Sequence, residues 1–359
     1  MSAHAPSNPR WTVAVPLAAV LTLVLTWHRD LPGAVMAIVA IATGAAVMVA
    51  VHHAEVVATK VGEPFGSLIL AIAVTVIEVA LILTIMLGGG EDAATLARDT
   101  AFAAVMIIYT GLIGICLLIG TIKHHVQAFH PRGAAGALSA ATVLVTVTLV
   151  LPSFTSSTEG PTLSTAQLLF FALVALCLYG TFVFVQTIRH RNYFLGDVDD
   201  DEHIEPPSAR TTRVSLAMLL LCLVAVVGLA KVLSPTLKDA VASVGAPTSS
   251  VGVIIALLVL APETVAAVRA AAANQLQTSM NLAFGSAMAS IGLTIPAIAV
   301  ASLFTDLELQ LGLGGADIVL LALTVVTTIL TVLPGRVTVM QGAIHLAVFA
   351  TFLFLAVAP

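Results

Sequence analysis

Charged side chains are scarce in this sequence. Asp, Glu, Lys and Arg make up 9% of its 359 residues, hydrophobic residues make up 59%, and the mean hydropathy is +1.08. A water-soluble domain needs more surface charge than this, so the composition indicates that a lipid bilayer is the main solvent. The net charge of −5 is small and localised, and it does not indicate a nucleic-acid partner.

Cysteine is rare as well. Cys116, Cys177 and Cys222 all lie inside apolar runs, and none has a partner at metal-ligand spacing. This excludes a disulfide framework and a cysteine-based metal site. We expect the three side chains to pack as small apolar groups.

Enzyme motifs are missing too, since the sequence has no HExxH and no GxSxG. An intramembrane hydrolase needs a metal motif or a nucleophile–base pair inside a span. We therefore expect a protein that is not an enzyme and has no cofactor, and a hydrolase stays an alternative without a supporting motif.

Long apolar runs are what the sequence has instead. A spanning helix needs about 20 apolar residues, and eleven runs approach this length, which predicts an all-α integral membrane protein with eleven transmembrane helices. The first run is interpreted as a retained helix, because no small-residue cleavage site follows it. The runs are 11–27, 32–52, 64–88, 100–121, 136–152, 166–187, 214–233, 249–268, 278–302, 316–333 and 341–358.

Positive charge is distributed unequally between the loops on the two sides. With the amino terminus in the cytoplasm, ten of the 14 Lys and Arg residues lie inside and four outside, as the positive-inside rule requires. This predicts a multi-pass protein of the bacterial cell (inner) membrane with its carboxyl terminus outside. The four outside residues are Arg29, Arg98, Lys231 and Lys238.

An acidic stretch, 196–213, separates the sixth and seventh spans. We interpret it as a cytoplasmic linker, either a solvated charge run or a low-affinity regulatory cation site. It divides the chain into an amino-terminal segment with the first helix (1–31), a first five-helix repeat (32–195), the linker, and a second five-helix repeat (214–359). Because five is odd, the second repeat is expected to be inverted, as in many secondary transporters. The acidic side chains and histidine of the linker are Asp197, Asp199, Asp200, Asp201, Glu202, His203 and Glu205.

One glutamate lies in the second span of each repeat. Glu78 is surrounded by apolar and hydroxyl residues, and Glu263 follows Pro262, which should break or kink its helix and free backbone carbonyls. A charge at mid-helix costs roughly 2.5–3.5 kcal/mol on insertion scales, so such residues are functional candidates. The next spans also correspond, and both are rich in small residues, which permit close helix approach. These residues are Thr110, Gly111, Gly114, Gly285, Ser286, Ser290 and Gly292.

Two intramembrane carboxyl groups suggest an exchange chemistry. Burial disfavours their charged form, so they hold protons when no cation is bound. A hard cation that is ligated by both carboxylates and by neighbouring oxygens displaces those protons. We expect Ca²⁺, Na⁺, K⁺ and H⁺ to be substrates and Glu78 and Glu263 to be the cation- and proton-binding residues. Candidate supporting ligands are Thr75, Thr110, Ser286 and Ser290.

A second polar cluster lies near the cytoplasmic end of the second span. His52, His53 and Glu55 could form a proton access path, a Zn²⁺ or Mn²⁺ site of a transition-metal transporter, or an interfacial polar cap. Glu63 precedes Pro64 at the start of the third span, where it could cap the helix or line a cation vestibule.

Four segments resemble a known family, the calcium/cation antiporter superfamily in its ChaA-like branch of bacterial cation/proton antiporters. They are Val61–Leu83, Gly114–His125, Tyr179–His190 and Ala261–Pro296. The resemblance implies a sodium/calcium-exchanger-like fold, a leading helix plus two inverted five-helix repeats. It also implies export of Ca²⁺, Na⁺ or K⁺ in exchange for protons.

The resemblance also bears on the two glutamates, because Glu78 and Glu263 match the glutamates of the family's two alpha repeats. The wider cation/proton exchangers usually have Gly-Asn ahead of each glutamate, whereas this sequence has Val74-Thr75 and Val259-Leu260. The loss of an amide ligand in each half weakens the case for strict Ca²⁺ selectivity and is compatible with monovalent exchange. Membrane lipid, inorganic cations and protons are the expected partners, and the sequence does not indicate an oligomeric state.

Overall fold

The structure is a computed structural model that describes residues 8–359 except 28, 30, 63–64, 90–92, 195–205 and 306–308. The described residues are nearly all helical, as predicted. The α-helices are α1 (Arg10–Thr26), α2 (Gly33–Val61), α3 (Phe65–Leu87), α4 (Leu96–Met106), α5 (Ile113–His124), α6 (Pro131–Val145), α7 (Thr165–Phe184), α8 (Ala209–Ser243), α9 (Ser249–Ala272), α10 (Leu276–Gly292), α11 (Thr294–Ser302), α12 (Gly315–Val332) and α13 (Val339–Val357).

Shorter elements join or extend these helices. Three π-helical segments directly follow α4, α6 and α7, at Ile107–Leu112, Thr146–Val150 and Val185–Arg189. Two 3₁₀ turns are present at Leu151–Phe154 and Arg191–Tyr193. Strands β1 (Gln127–Ala128) and β2 (Arg336–Val337) pair antiparallel and tie the loop after α5 to the loop after α12.

The predicted spans correspond to helical stretches of membrane length. In the described part of the chain, ten stretches have at least 18 residues and are apolar enough to cross a bilayer. The eleventh, α1, is an apolar helix of 17 residues, or roughly 25 Å at 1.5 Å per residue. The protein is therefore a multi-pass membrane protein, and α1 leads the ten longer spans.

Two boundaries differ most from the prediction. The second span was expected to end at residue 52, but α2 continues to Val61 and ends at Gly62, whose φ of 77° is a conformation that glycine adopts readily. His52, His53 and Glu55 therefore lie inside a helix, because polar side chains do not by themselves end one. Similarly, α8 begins behind the N-cap of Ser208, which accepts from the Thr211 amide at 3.1 Å, and extends beyond the predicted residue 233.

The chain folds as two compact units that do not coincide with the predicted repeats. The first contains Met1–Ala93 and Asp199–Val244, and the second contains Ala94–Val198 and Gly245–Pro359. In the first unit, α8 packs against α1, α2 and α3. Gly228 makes the contact with α1 close, because an added Cβ would lie 2.5 Å from a methyl group of Leu23.

In the second unit, helices of the two halves pack against each other reciprocally. Gly111 and Gly114 lie against Phe349 and Leu346 of α13, and Gly292 lies against Tyr179 of α7, each with little or no room for a Cβ. The third span of each half thus contacts the last span of the other half. This confirms the prediction of close helix approach for these three glycines. The prediction of close helix approach was wrong for Gly285, where an added Cβ would meet open space.

The carboxyl-terminal end of α9 is capped by the segment around β1. Lys123 Nζ donates to the Ala272 carbonyl at 2.7 Å, and Gln127 Nε2 donates to the Ala271 carbonyl at 3.2 Å and to Asn274 Oδ1 at 2.9 Å. These donors satisfy helix carbonyls that have no intrahelical partner. The polar end of the segment Gly114–His125 therefore holds the end of the helix that carries Glu263.

Candidate functional site

Glu78 lies in the middle of α3, in the first unit. Its side chain is 2% exposed, and Thr75, one turn earlier on the same helix face, is 7% exposed. The helix Phe65–Leu87 contains no proline and no second charged residue. The structure therefore places one carboxyl group and one candidate hydroxyl ligand on the same face of an apolar span, and their role in binding stays a prediction.

His52, His53 and Glu55 do not form a common cluster. His53 is fully buried and its Nε2 donates to the Thr12 carbonyl of α1 at 2.9 Å, whereas Glu55 is exposed. His52 lies between the rings of Trp11 and His53, at centroid distances of 6.1 and 5.5 Å. No group of three His, Cys, Asp or Glu side chains with metal-binding geometry occurs among the described residues. The histidines attach α1 to α2, and the transition-metal alternative gains no support.

Glu263 lies in α9, in the second unit, and its side chain is partly buried. Pro262 was expected to break or kink its helix, and it does not break it, because α9 continues through it from Ser249 to Ala272. Pro262 still lacks the amide that would donate to the Leu258 carbonyl in a regular helix. Ser279 Oγ donates to the Ala267 carbonyl, one turn after Glu263, at 2.6 Å. Sequence reasoning missed Ser279, which attaches α10 to the glutamate helix.

The hydroxyl candidates of the second unit lie on two elements that pack against α9. Thr110 is fully buried in the π-helical segment Ile107–Leu112, and its hydroxyl donates to the Met106 carbonyl. This hydrogen bond uses the hydroxyl proton of Thr110, so the lone pairs of its oxygen stay available to a cation. Ser290 is 4% exposed and Ser286 is partly exposed, both on α10. The fold thus brings the helices of Glu263 and its candidate ligands into contact.

The π-helical segment after α4 is held by a buried histidine that the sequence did not single out. His345 of α13 is 0% exposed, and its Nδ1 donates to the Tyr109 carbonyl at 2.7 Å. Because the Tyr109 carbonyl can only accept, Nδ1 carries the proton of the neutral imidazole. The other ring nitrogen, Nε2, therefore accepts from Thr331 Oγ1 at 2.9 Å. Gly114 permits this approach, since an added Cβ would lie 3.1 Å from His345 Cβ. A π-helical turn frequently marks a functional site.

Other predicted features fall outside the described residues. Glu63 and the acidic linker side chains between 197 and 205 are among them. Of the three cysteines, Cys116 and Cys222 are buried and Cys177 is exposed, and all three are free.

Comparison with known proteins identifies the class. Lone carboxyl groups in apolar spans and an all-α fold with interrupted helices are typical of ion transporters. The chain matches the family described as "Sodium/calcium exchanger protein" twice, over residues 31–188 and 214–358. It belongs to this family of cation exchangers, and its fold is one leading helix followed by two inverted five-helix repeats.

Relatives extend over most of the chain. The protein y4hA of Sinorhizobium fredii is 42% identical over 365 residues, covering 100% of this chain and 98% of y4hA. The sodium-potassium/proton antiporter ChaA of Escherichia coli is 37% identical over 308 residues, covering 84% of this chain and 83% of ChaA. Among solved structures, native YfkE superposes with a TM-score of 0.75 at 18% identity and covers 97% of this chain and 99% of YfkE. The last likeness concerns the fold alone.

Proposed function

We propose that the protein is a secondary antiporter that exports Ca²⁺, Na⁺ or K⁺ from the cytoplasm in exchange for protons. The observation that carries this proposal is that each five-helix repeat has a glutamate within its second span, Glu78 and Glu263. The names of two similar proteins support the proton coupling. ChaA is named a sodium-potassium/proton antiporter. A second solved structure of YfkE describes that protein as a Ca²⁺/H⁺ antiporter.

Competition between cation and proton is the proposed mechanism. An empty carboxyl group in an apolar span favours its protonated form, because desolvation penalises the charge. A bound cation stabilises the carboxylate and releases the proton. A carrier that changes its access only when Glu78 and Glu263 hold either cations or protons couples the two fluxes. An inward proton gradient then drives cations out.

The oxygen ligands bear on which cation is exchanged. Hydroxyl oxygens from Thr75, Thr110, Ser286 and Ser290 are the supporting ligands that we propose, together with backbone carbonyls. Neither half has the Gly-Asn pair that the wider cation/proton exchangers usually have ahead of the glutamate. A site without amide oxygens and with few charges has less preference for Ca²⁺, since affinity for hard divalent cations increases with the number of charged ligands. We therefore include Na⁺ and K⁺ among the substrates.

The orientation that we propose follows from the positive-inside rule. The amino terminus and the acidic linker would lie in the cytoplasm and the carboxyl terminus outside a bacterial cell membrane. Cysteine accessibility tests this with substitutions at two exposed positions that lie on opposite sides in the proposal: Ser157, in the loop before α7, and Arg213, near the start of α8. Labelling of both positions from the same side would contradict it.

Proton flux in proteoliposomes tests the function. Purified protein is reconstituted with a pH-sensitive dye inside, a pH gradient is imposed, and Ca²⁺, Na⁺, K⁺ or Mg²⁺ is added in turn. We expect cation-dependent dissipation of the gradient, absent from liposomes that contain Glu78→Gln. A well-folded wild-type protein that responds to none of the four cations would overturn the proposal.

A further inference from the structure

An apolar groove runs along the surface of the first unit, between α1, α3 and α8. Its volume is about 430 Å³, within the range of about 300–1,000 Å³ of ligand-binding pockets. Its lining consists of apolar residues and the Trp27 ring, and Val76 and Val224 are 45% and 62% exposed. The lining residues are Leu23, Trp27, Val76, Ala80, Leu223, Val224, Val227 and Gly228.

The groove has a polar end. Trp27 lies directly after the last residue of α1, and Lys231 lies one turn beyond Gly228 on α8. The Lys231 ammonium group lies 5.6 Å from the centroid of the Trp27 ring, and both residues are exposed. Tryptophan and lysine at the ends of spans are typical of the membrane–water interface. The apolar groove therefore opens toward the level of the lipid head groups, beside a positive charge.

Two other cations, Lys238 and Arg29, lie at this end of the unit. Lys238 Nζ donates to the Gly89 carbonyl at 2.7 Å and attaches α8 to the end of α3. Arg29, two residues after Trp27, is exposed. Lys231 is the cation whose contact with the groove-lining Trp27 ring the structure shows, and Lys238 is a natural control because its ammonium group is engaged elsewhere in the same unit.

We propose that this groove binds an anionic phospholipid. One acyl chain fills the space between α1, α3 and α8, and the phosphate of its head group contacts the ammonium group of Lys231 next to the Trp27 ring. The charge complementarity selects the ligand, since a neutral lipid gains the apolar contacts but lacks the net charge. A lipid here also packs against α3 at Val76 and Ala80, on the side of the helix opposite to Glu78. This proposal does not depend on which ion the protein exchanges.

Tryptophan fluorescence can test the site directly, because the chain has two tryptophans and Trp27 lines the groove. Trp11→Phe leaves Trp27 as the sole tryptophan. The protein is reconstituted in phosphatidylcholine with increasing fractions of phosphatidylglycerol that is brominated in the upper acyl chain, or of phosphatidylcholine brominated in the same way. We expect phosphatidylglycerol to quench Trp27 with about fivefold stronger apparent affinity, the effect of one cation near the bilayer surface.

Three variants in this background identify the source of the preference. Lys231→Gln should remove the preference for phosphatidylglycerol and leave quenching by brominated phosphatidylcholine unchanged. Lys238→Gln should keep the preference for phosphatidylglycerol. Ala80→Leu, which fills the groove, should weaken quenching by both lipids. Inorganic phosphate in the buffer should not displace the brominated lipid, because it lacks the acyl chain. Equal quenching by the two lipids, or a preference that survives Lys231→Gln, would overturn the proposal.

Discussion

The helix of Glu78 and the helices around Glu263 differ in how they are built. α3 is an uninterrupted apolar helix, and its glutamate is almost completely buried. In the second unit, α9 contains Pro262, α4 continues into a π-helical segment, and α10 ends at Gly292 before α11 begins. Two glutamates that correspond in the repeats therefore have different backbone surroundings. The first lies in a regular helix, whereas the second lies among backbone irregularities that other residues must maintain.

We expect the largest effect from substitutions that remove the carboxylate of either glutamate. Glu78→Gln and Glu263→Gln should each reduce cation-dependent proton flux in proteoliposomes to the level of empty liposomes, because neither variant can exchange a proton for a cation at that position. Gln has nearly the size of Glu, so folding can be checked by comparing the thermal stability of the detergent-solubilised variants. Exchange by both variants at the wild-type rate would disprove the site assignment.

A shorter carboxylate should distinguish the two positions. Glu78→Asp should lose most of its exchange, because a side chain that is packed on all sides cannot move to replace the missing methylene. Glu263→Asp, in a partly exposed position, should keep a measurable fraction with a raised KM for the cation. Initial rates at several cation concentrations provide the measurement. Equal losses in the two variants would remove the distinction between the regions.

His345 should affect exchange through the π-helical segment. His345→Leu removes the donor to the Tyr109 carbonyl, and we expect a KM for the cation raised about tenfold, the scale of lost hydrogen bonds to ligating groups. His345→Asn can place an amide donor where Nδ1 lies and should restore much of the affinity. Thr331→Val, which removes only the other hydrogen bond, should have a smaller effect. If Leu and Asn behave alike, His345 serves packing only.

The smallest effect is expected at Pro262. Pro262→Ala supplies the missing amide to the Leu258 carbonyl and removes that oxygen from possible cation binding. We expect a KM raised about threefold, close to the cost of one modest hydrogen bond. Pro296→Ala is the matched control, because Pro296 lies in the first turn of α11, where the missing amide has no helical acceptor. A similar change in both variants would show a general effect of removing proline.

The spans could be predicted because hydrophobicity is a local signal, and the two glutamates stand out as candidates because an isolated charge in such a run is a local signal too. The sequence also predicted close approach at Gly111, Gly114 and Gly292, since small residues have that role in membranes. The structure confirms these contacts.

Other features could not be predicted because they depend on distant residues or on unmarked backbone geometry. The π-helical segment has an ordinary apolar sequence, and the partners His345 and Tyr109 are 236 positions apart. The length of α2 was underestimated because His52, His53 and Glu55 interrupt its hydrophobicity without interrupting its hydrogen bonds.

The reciprocal packing of the two halves has a consequence for biosynthesis. Gly111 and Gly114 contact α13, which the ribosome completes more than two hundred residues later. The helix that contains them must wait in the membrane, with its final neighbour missing, until translation is nearly finished. We infer that the second unit cannot reach its native packing one helix at a time. Truncation before α13 should therefore leave early helices inserted but exposed to membrane proteases and quality control.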